Sequence, residues 1–459
     1  SATTTHTQAP TDTNTPSPTP TNTPTQTPTA TITPTPEGLA AFVTAENLNV
    51  RNGPGEDFDI IAHVEQGITL PVIGRDEDGF WLLVEYDNNQ QGWIFSGFAS
   101  LNTDIQDAPD VQPTPLPDYT RLEGVTHLWQ AFNNCAPTAL TIALSYYIDN
   151  SGSNRVTPVI ESRLDHATNY LRPNRSGDVS VDIAEMVQYV NDEFQGVRSV
   201  WRMGGNWTTI RRLVAAGFPV IIETGIQVNN PPPGQPGGWA GHNRVVIGYD
   251  GDDILTYDSY LGHGNFEGYR VNQDVLDAAW RELNRHYMVL YDIDREDEVR
   301  YIMGADWIIA NSIEHAHRVA LAEIAANEDG GDAEFFSLYN IGNTFTYLGD
   351  YDQALEYYEA ALELSEPFRI FWYQFGIFEA YYNTGQYGQV RWFANNALQG
   401  MGGNAAEELY YWRGMSYAAQ GNFDNARDDL ERALEFNPRY DAASEALQQI
   451  ESGTYQPPS

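Results

Sequence analysis

Lysine does not occur anywhere in the 459 residues, and cysteine occurs once. All 24 basic residues are therefore arginine, set against 63 acidic ones for a formal charge of -39. A chain so acidic repels phosphate backbones, which argues against general nucleic-acid binding and against attraction to anionic membranes. The same charge maintains solubility. One cysteine cannot form an intrachain disulfide, so pairing carries no information about the redox compartment. No run approaches the ~18 apolar residues of a membrane span. The first residues do not read as a signal peptide, and a processed mature form is the expectation. His263 and His242 lie near acidic residues, yet no spacing suggests a zinc or calcium site, and no metal or cofactor is expected.

What is present falls into blocks, and the length allows about three domains of ~150 residues. Residues 1–37 are threonine, proline and serine with little apolar surface, which reads as a disordered, semi-rigid stalk. Threonine beside proline is also the composition of O-glycosylated stalks on the cell exterior. Residues 38–101 change to short β runs, among them Ala41–Val43, Leu48–Val50, Ile60–Val64, Leu70–Ile73, Trp81–Val84 and Gly92–Ile94. Asn52-Gly53-Pro54-Gly55 and Asp78-Gly79 supply turns. Residues 102–119 are a proline-bearing linker, and 120–295 mix helices with strands. Helices are predicted from Pro137 to about Ile148, near Ser180–Phe194 and over Trp207–Ala216. Strands are predicted at Pro219–Glu223, Asn243–Tyr249, Ile254–Tyr257 and Tyr287–Tyr291. Helices preceding a mostly antiparallel strand set imply an α+β domain.

Residues 296–330 are a helical connector into a repeat over 331–452. Gly349, Gly385 and Gly421 recur every 36 residues, followed in phase by Ala354 and Ala426, with Ala361, Ala397 and Ala433 further on. Phe345, Tyr381 and Tyr417 share another phase. Small residues let paired helices approach while aromatics fill the gaps, as in an all-α solenoid. The middle unit departs, with Phe378 and Val390 at small positions.

The chemistry centres on Trp129-Gln130-Ala131-Phe132-Asn133-Asn134-Cys135-Ala136-Pro137. A lone cysteine is usually a small buried hydrophobe. Here Pro137 suits the first turn of a helix, which puts Cys135 at a helix N-terminus, where the macrodipole favours a thiolate. A thiolate nucleophile needs a base and an oxyanion donor. Gln130 can offer its side-chain amide beside the Cys135 backbone N–H. The base is expected at His242, after Gly241, with Asp258 at the end of the returning strand to orient the imidazole. Hairpin register decides the matter. Pairs whose numbers sum to an even value near 500–502 place His242 and Asp258 on one face, and an odd sum separates them. Pro231–Gly238 just before His242 is either a lid over the cleft or a plain surface loop.

These segments carry three resemblances. Leu48–Gly55, Gly79-Phe80-Trp81 and Gly92-Trp93-Ile94 resemble the bacterial SH3-like domain, and the 36-residue units resemble three tetratricopeptide repeats. Gln130…Asn133–Ala139, Ala216–Ile221, Gly241-His242…Val245–Tyr249 and Tyr257-Asp258 resemble the papain-like peptidases related to the double-glycine-leader (bacteriocin-processing) family, stand-alone branch. That resemblance implies Cys135 as nucleophile, His242 as base, Asp258 as its orienter and Gln130 as oxyanion donor. Two departures stand out. Ala136 replaces the usual Gly, which is tolerable unless a positive φ is needed there, and Ser259 replaces the usual Pro.

The fold expected is thus multidomain: a small all-β SH3-like barrel, an α+β papain-like cysteine peptidase domain and a C-terminal all-α tetratricopeptide solenoid. The function expected is an extracellular or surface-tethered cysteine peptidase acting on a peptide or protein substrate. The SH3-like domain would take a cell-wall peptide or serve as a spacer, and the repeats would take a protein partner. A catalytically inactive surface scaffold that keeps the peptidase fold is the alternative, and a cell-wall hydrolase the third reading.

Overall fold

A computed structural model describes residues 39–54, 58, 60–75, 80–87, 90–105, 108, 116–148, 155–173, 181–229, 237–325, 332–367, 369–400 and 406–458. The stalk, the Asp78-Gly79 turn and residues 231–236 of the candidate lid lie outside these described residues.

The N-terminal domain is built from β1 (Ala40–Val43), β2 (Asn47–Arg51), β3 (Ile60–Glu65), β4 (Thr69–Arg75), β5 (Trp81–Tyr86), β6 (Gln90–Phe95) and β7 (Ala99–Leu101). They form one antiparallel sheet in the order β3-β2-β6-β5-β4-β1-β7. Alternating residues such as Leu48 and Val50, or Leu82 and Val84, turn inward to a core confined to this domain. The six expected strands are present, and the short β7 adds a seventh.

The middle domain contains β8 (Tyr119–Arg121), α1 (Cys135–Ile148), α2 (Pro158–Leu171), α3 (Ile183–Glu193), β9 (Val197–Arg202) and α4 (Trp207–Ala215). It continues with β10 (Val220–Val228), β11 (Gly238–Asp250), β12 (Asp253–Asp258), β13 (Tyr269–Asn272), α5 (Gln273–Arg281) and β14 (Tyr287–Asp292). The sheet order is β13-β12-β11-β10-β14-β9, with β8 on β11 and every pairing antiparallel. Val245, Val246 and Ile247 are consecutive and all buried, so β11 is covered on both faces. Helix α1 buries ten consecutive residues, Ala136 to Ser145, between that sheet and α2. Three helices match the sequence reading. Helices α2 and α5 and strands β8, β9 and β13 go beyond it.

The connector folds as α6 (Glu296–Met303) and α7 (Ile309–Ala325), and α7 packs on the first repeat helix. The repeats are α8 (Asp332–Leu348), α9 (Tyr351–Leu364), α10 (Gly376–Asn383), α11 (Tyr387–Gln399), α12 (Glu407–Ala419), α13 (Phe423–Phe436) and α14 (Asp441–Ser452). Gly349, Gly385 and Gly421 sit in the helix-to-helix turns at φ 78°, 74° and 76°, conformations in which any Cβ is strained. Ala354, Ala361, Ala426 and Ala433 are fully buried between paired helices. No helix among the described residues is long and apolar enough to cross a membrane.

Candidate active site

The loop before α1 is shaped by its neighbours. Asn133 takes the left-handed conformation at φ 51°. Buried Asn134 then donates its amide to Thr168 Oγ1 at 3.0 Å and accepts from Arg172 Nη1 at 3.2 Å. The same guanidinium reaches the Phe132 carbonyl at 3.2 Å. Thr138 N–H donates to the Asn134 carbonyl at 3.1 Å, which makes Asn134 the residue just outside the helix and Cys135 its first residue. The helix therefore starts two residues earlier than Pro137. Pro137 still lies in the first turn, where a missing N–H loses nothing. Ala136 is helical and is not among the positive-φ residues, so the side chain that replaces the usual glycine is accommodated.

His242 lies on β11 and Asp258 ends β12. At the hairpin tip Tyr249 faces Ile254 and Asp250 faces Asp253, an odd sum of 503. A bulge between Val246 and Gly248 absorbs one residue. Beyond it Val246 faces Thr256 and Arg244 faces Asp258, the even sum of 502. The bulge places His242 diagonally across from Asp258. Nε2 of the imidazole meets Asp258 Oδ1 at 2.8 Å, which leaves Nδ1 for the sulfur. Asp258 Oδ1 also accepts the backbone N–H groups of Tyr260 and Leu261, each at 2.8 Å, and Arg244 Nε stands 3.3 Å from Oδ2. His127 Nε2 contacts the Asp258 carbonyl at 2.9 Å. Both His242 (4% exposed) and Asp258 (0%) are out of bulk water.

The electrostatics follow from this burial. Desolvation works against the Asp258 carboxylate, but the charge and hydrogen bond of His242, then Arg244 and the Leu261 N–H, outweigh it and hold its pKa well below the carboxylate range. Desolvation likewise works against the His242 imidazolium, and the Asp258 charge and hydrogen bond overcome it, aided by Cys135; the pKa rises to about 9. Burial pushes the Cys135 thiol up, whereas the hydrogen bond and charge of His242, joined by Asn243, bring it below the ordinary thiol value. Asn243 Nδ2 approaches Sγ at 4.0 Å.

Gln130 is held twice by Ser259. Its N–H donates to the Ser259 carbonyl at 3.0 Å, and the Ser259 hydroxyl donates to Gln130 Oε1 at 2.7 Å. With its oxygen engaged there, the amide NH2 is the free end. The four expected residues thus converge on one site: Gln130, Cys135 and His242 line a cleft of about 340 Å³, with Asp258 directly behind His242. Asn243, Arg244, Ser259 and His127 were not among them. The signal for the first two was a polar pair opening an otherwise apolar strand. Ser259 was visible only as a departure from the family pattern.

Comparison with known proteins agrees domain by domain. Residues 119–288 match the family model described as Peptidase_C39 like family, 46–100 match Bacterial SH3 domain, and 336–366 and 407–448 match Tetratricopeptide repeat. The chain is a composite of these three kinds of domain. A "Putative N-acetylmuramoyl-L-alanine amidase YrvJ" of Bacillus subtilis (strain 168) is 35% identical over 56 residues, 12% of this chain. The match spans only 10% of that relative's length. A solved "putative C39-like peptidase" from Bacillus anthracis is 16% identical with a TM-score of 0.28, covering 38% of this chain and 98% of the other.

Proposed function

We propose that the middle domain is a cysteine peptidase. The observation that carries this reading is one cleft holding Cys135 at a helix N-terminus, His242 bound to buried Asp258 at 2.8 Å, and the anchored amide of Gln130. The Cys135 thiolate attacks the scissile carbonyl carbon and forms a C–S bond, while the π pair moves onto oxygen. The Cys135 N–H and the Gln130 amide receive that oxyanion. Collapse breaks the C–N bond, and the His242 imidazolium gives its proton to the departing amine. Water then attacks the thioester with neutral His242 taking its proton, and collapse breaks the C–S bond, releasing the acid and restoring the thiolate–imidazolium pair. Asp258 holds the ring in place throughout and stays ionised.

The bacterial SH3 domain and the short amidase-like match support action outside the cell, at or near the cell wall, with the SH3 domain holding a wall peptide. A second reading, hydrolysis of a wall amide by the same residues, rests on that amidase match alone. Cleavage-site profiling of exposed proteins with wild type against Cys135→Ala should give new N-termini that the variant lacks. Identical profiles would defeat the proposal, and muropeptide release without protein cleavage would favour the second reading.

A further inference from the structure

The middle repeat is irregular in one place. The first repeat opens with the 17-residue α8 and the third with the 13-residue α12, whereas α10 has only 8 residues. The family match skips this unit, running over 336–366 and then 407–448. Where the first unit is helical, residues 369–375 form a left-handed residue at Arg369 (φ 66°) and a tight turn over Ile370–Trp372 that leads into α10. Ile370, Phe371 and Trp372 are buried in the repeat core, which pins the segment. Three of its four remaining side chains, Arg369, Tyr373 and Phe375, line the cleft that holds Cys135 and His242.

Tyr373 is fixed from both sides. A Cβ on Gly241, the residue before His242, would lie 2.7 Å from its ring, so glycine at 241 is what lets the ring lie on β11. Trp239 meets the same ring edge-on at 5.7 Å. The next residue, Gln374, donates to the Glu282 carbonyl at 2.9 Å and accepts from Asn343 at 2.5 Å. Ile226, Val228 and Leu283 line the same cleft as Tyr373 and Phe375. The nearby Glu223 is occupied by His286 at 2.9 Å, and Arg369 lies over Trp372 at 4.4 Å.

We infer that residues 369–375 of the repeat domain, with Ile226 and Leu283, form a side-chain subsite that selects a bulky apolar residue of the peptide cleaved at Cys135. The inference rests on the peptidase reading above. An aromatic or branched aliphatic side chain entering the cleft against Tyr373, Phe375 and Ile226 leaves water without needing a polar partner. The distorted repeat is then part of the substrate site, while the regular units on either side support it.

The test uses the full chain and a peptide library varied around the scissile bond, with alkylation of Cys135 by iodoacetamide measured in parallel. Wild type should favour large apolar residues at one position. Tyr373→Ala and Phe375→Ala should each lose at least tenfold in kcat/KM on those substrates, through KM, with alkylation rates within twofold. Tyr373→Phe should keep the preference, and Tyr373→Leu covers the case in which alanine unfolds the domain. Trp392→Ala, on an exposed surface of the repeats, should change nothing. Cleavage with no apolar preference, or a preference surviving both alanine variants, overturns the inference and leaves the peptidase intact. No cleavage together with no alkylation overturns both.

Discussion

The domains on either side of the C39-peptidase-like domain are joined to it differently. The SH3 domain closes a core of its own, drawn from residues 39–108 alone. The repeat domain does not. Its core incorporates Trp239 and Leu283 from the peptidase, with Trp239 packed on Phe336 at 5.4 Å and bonded to Glu282 at 2.7 Å. Polar links extend the seam: Asn340 to the Arg281 carbonyl at 2.7 Å, Asn437 to Glu185 at 2.8 Å, and Arg439 to Tyr170. A module with its own core can be added or removed, while one that shares a core folds as part of its neighbour. Similar repeat sequences can therefore serve as an internal wall.

The largest way to break this contrast is Trp239→Ala. Truncating a buried indole costs about 3–5 kcal/mol, and here the loss falls on both the peptidase and the repeats. A marked drop in melting temperature with loss of cleavage is expected. Deleting residues 38–101 should leave the melting of the remainder unchanged; an equal loss from both changes would erase the distinction.

A smaller effect comes from the acids in the seam. Burial raises Glu407 to about 8, with the Glu185 charge adding to it, and burial raises Glu185 to about 7, with Asp182 adding to it. Glu408 is raised as well, and Asn437, Arg172 and Arg439 face the group as donors and cations. Because these pKa values lie above the unfolded value of 4.5, their contribution to stability is fully present below pH 4.5 and is lost as pH rises through about 7 to 8. Glu407→Gln should recover on the order of 2 kcal/mol at pH 9 and little at pH 4. Thermal melts at the two pH values would show it, and a variant no more stable at pH 9 than wild type would count against the shared seam.

The smallest is Ser259→Ala. It removes one hydrogen bond to Gln130, about 1 kcal/mol, and should lower kcat some three- to tenfold with KM little changed. An unchanged kcat would mean that Gln130 is positioned by its backbone alone.

The residues that meet in the candidate site were legible in the sequence through rare residue types. A single cysteine with a glutamine five positions before it, and a Gly-His opening an apolar strand, named Gln130, Cys135 and His242. The SH3 strands were legible because alternation on a half-buried sheet is a period-two signal, and the repeats because Gly349, Gly385 and Gly421 share one phase. The register of β11 was not legible. Val245, Val246 and Ile247 are buried on both faces, so alternation carries no information and the bulge that saves the His242–Asp258 pair leaves no mark. Helix α2 was missed because it buries only Ile160, Ala167, Thr168 and Leu171 in a polar sequence. With it went the role of Arg172 in shaping the loop before Cys135. The shared core around Trp239 joins residues far apart in the chain, which no local pattern reports.

In the proposed mechanism, His242 and Asp258 turn Cys135 into a reactive thiolate. The most direct measurement is the rate of Cys135 alkylation by iodoacetamide as a function of pH, in wild type and in His242→Ala. Wild type should react readily near neutral pH, with a midpoint clearly below the ordinary thiol value of 9.0, and His242→Ala should return the midpoint to that value or above. A wild-type profile that titrates like an ordinary thiol, and is the same without His242, would contradict the account.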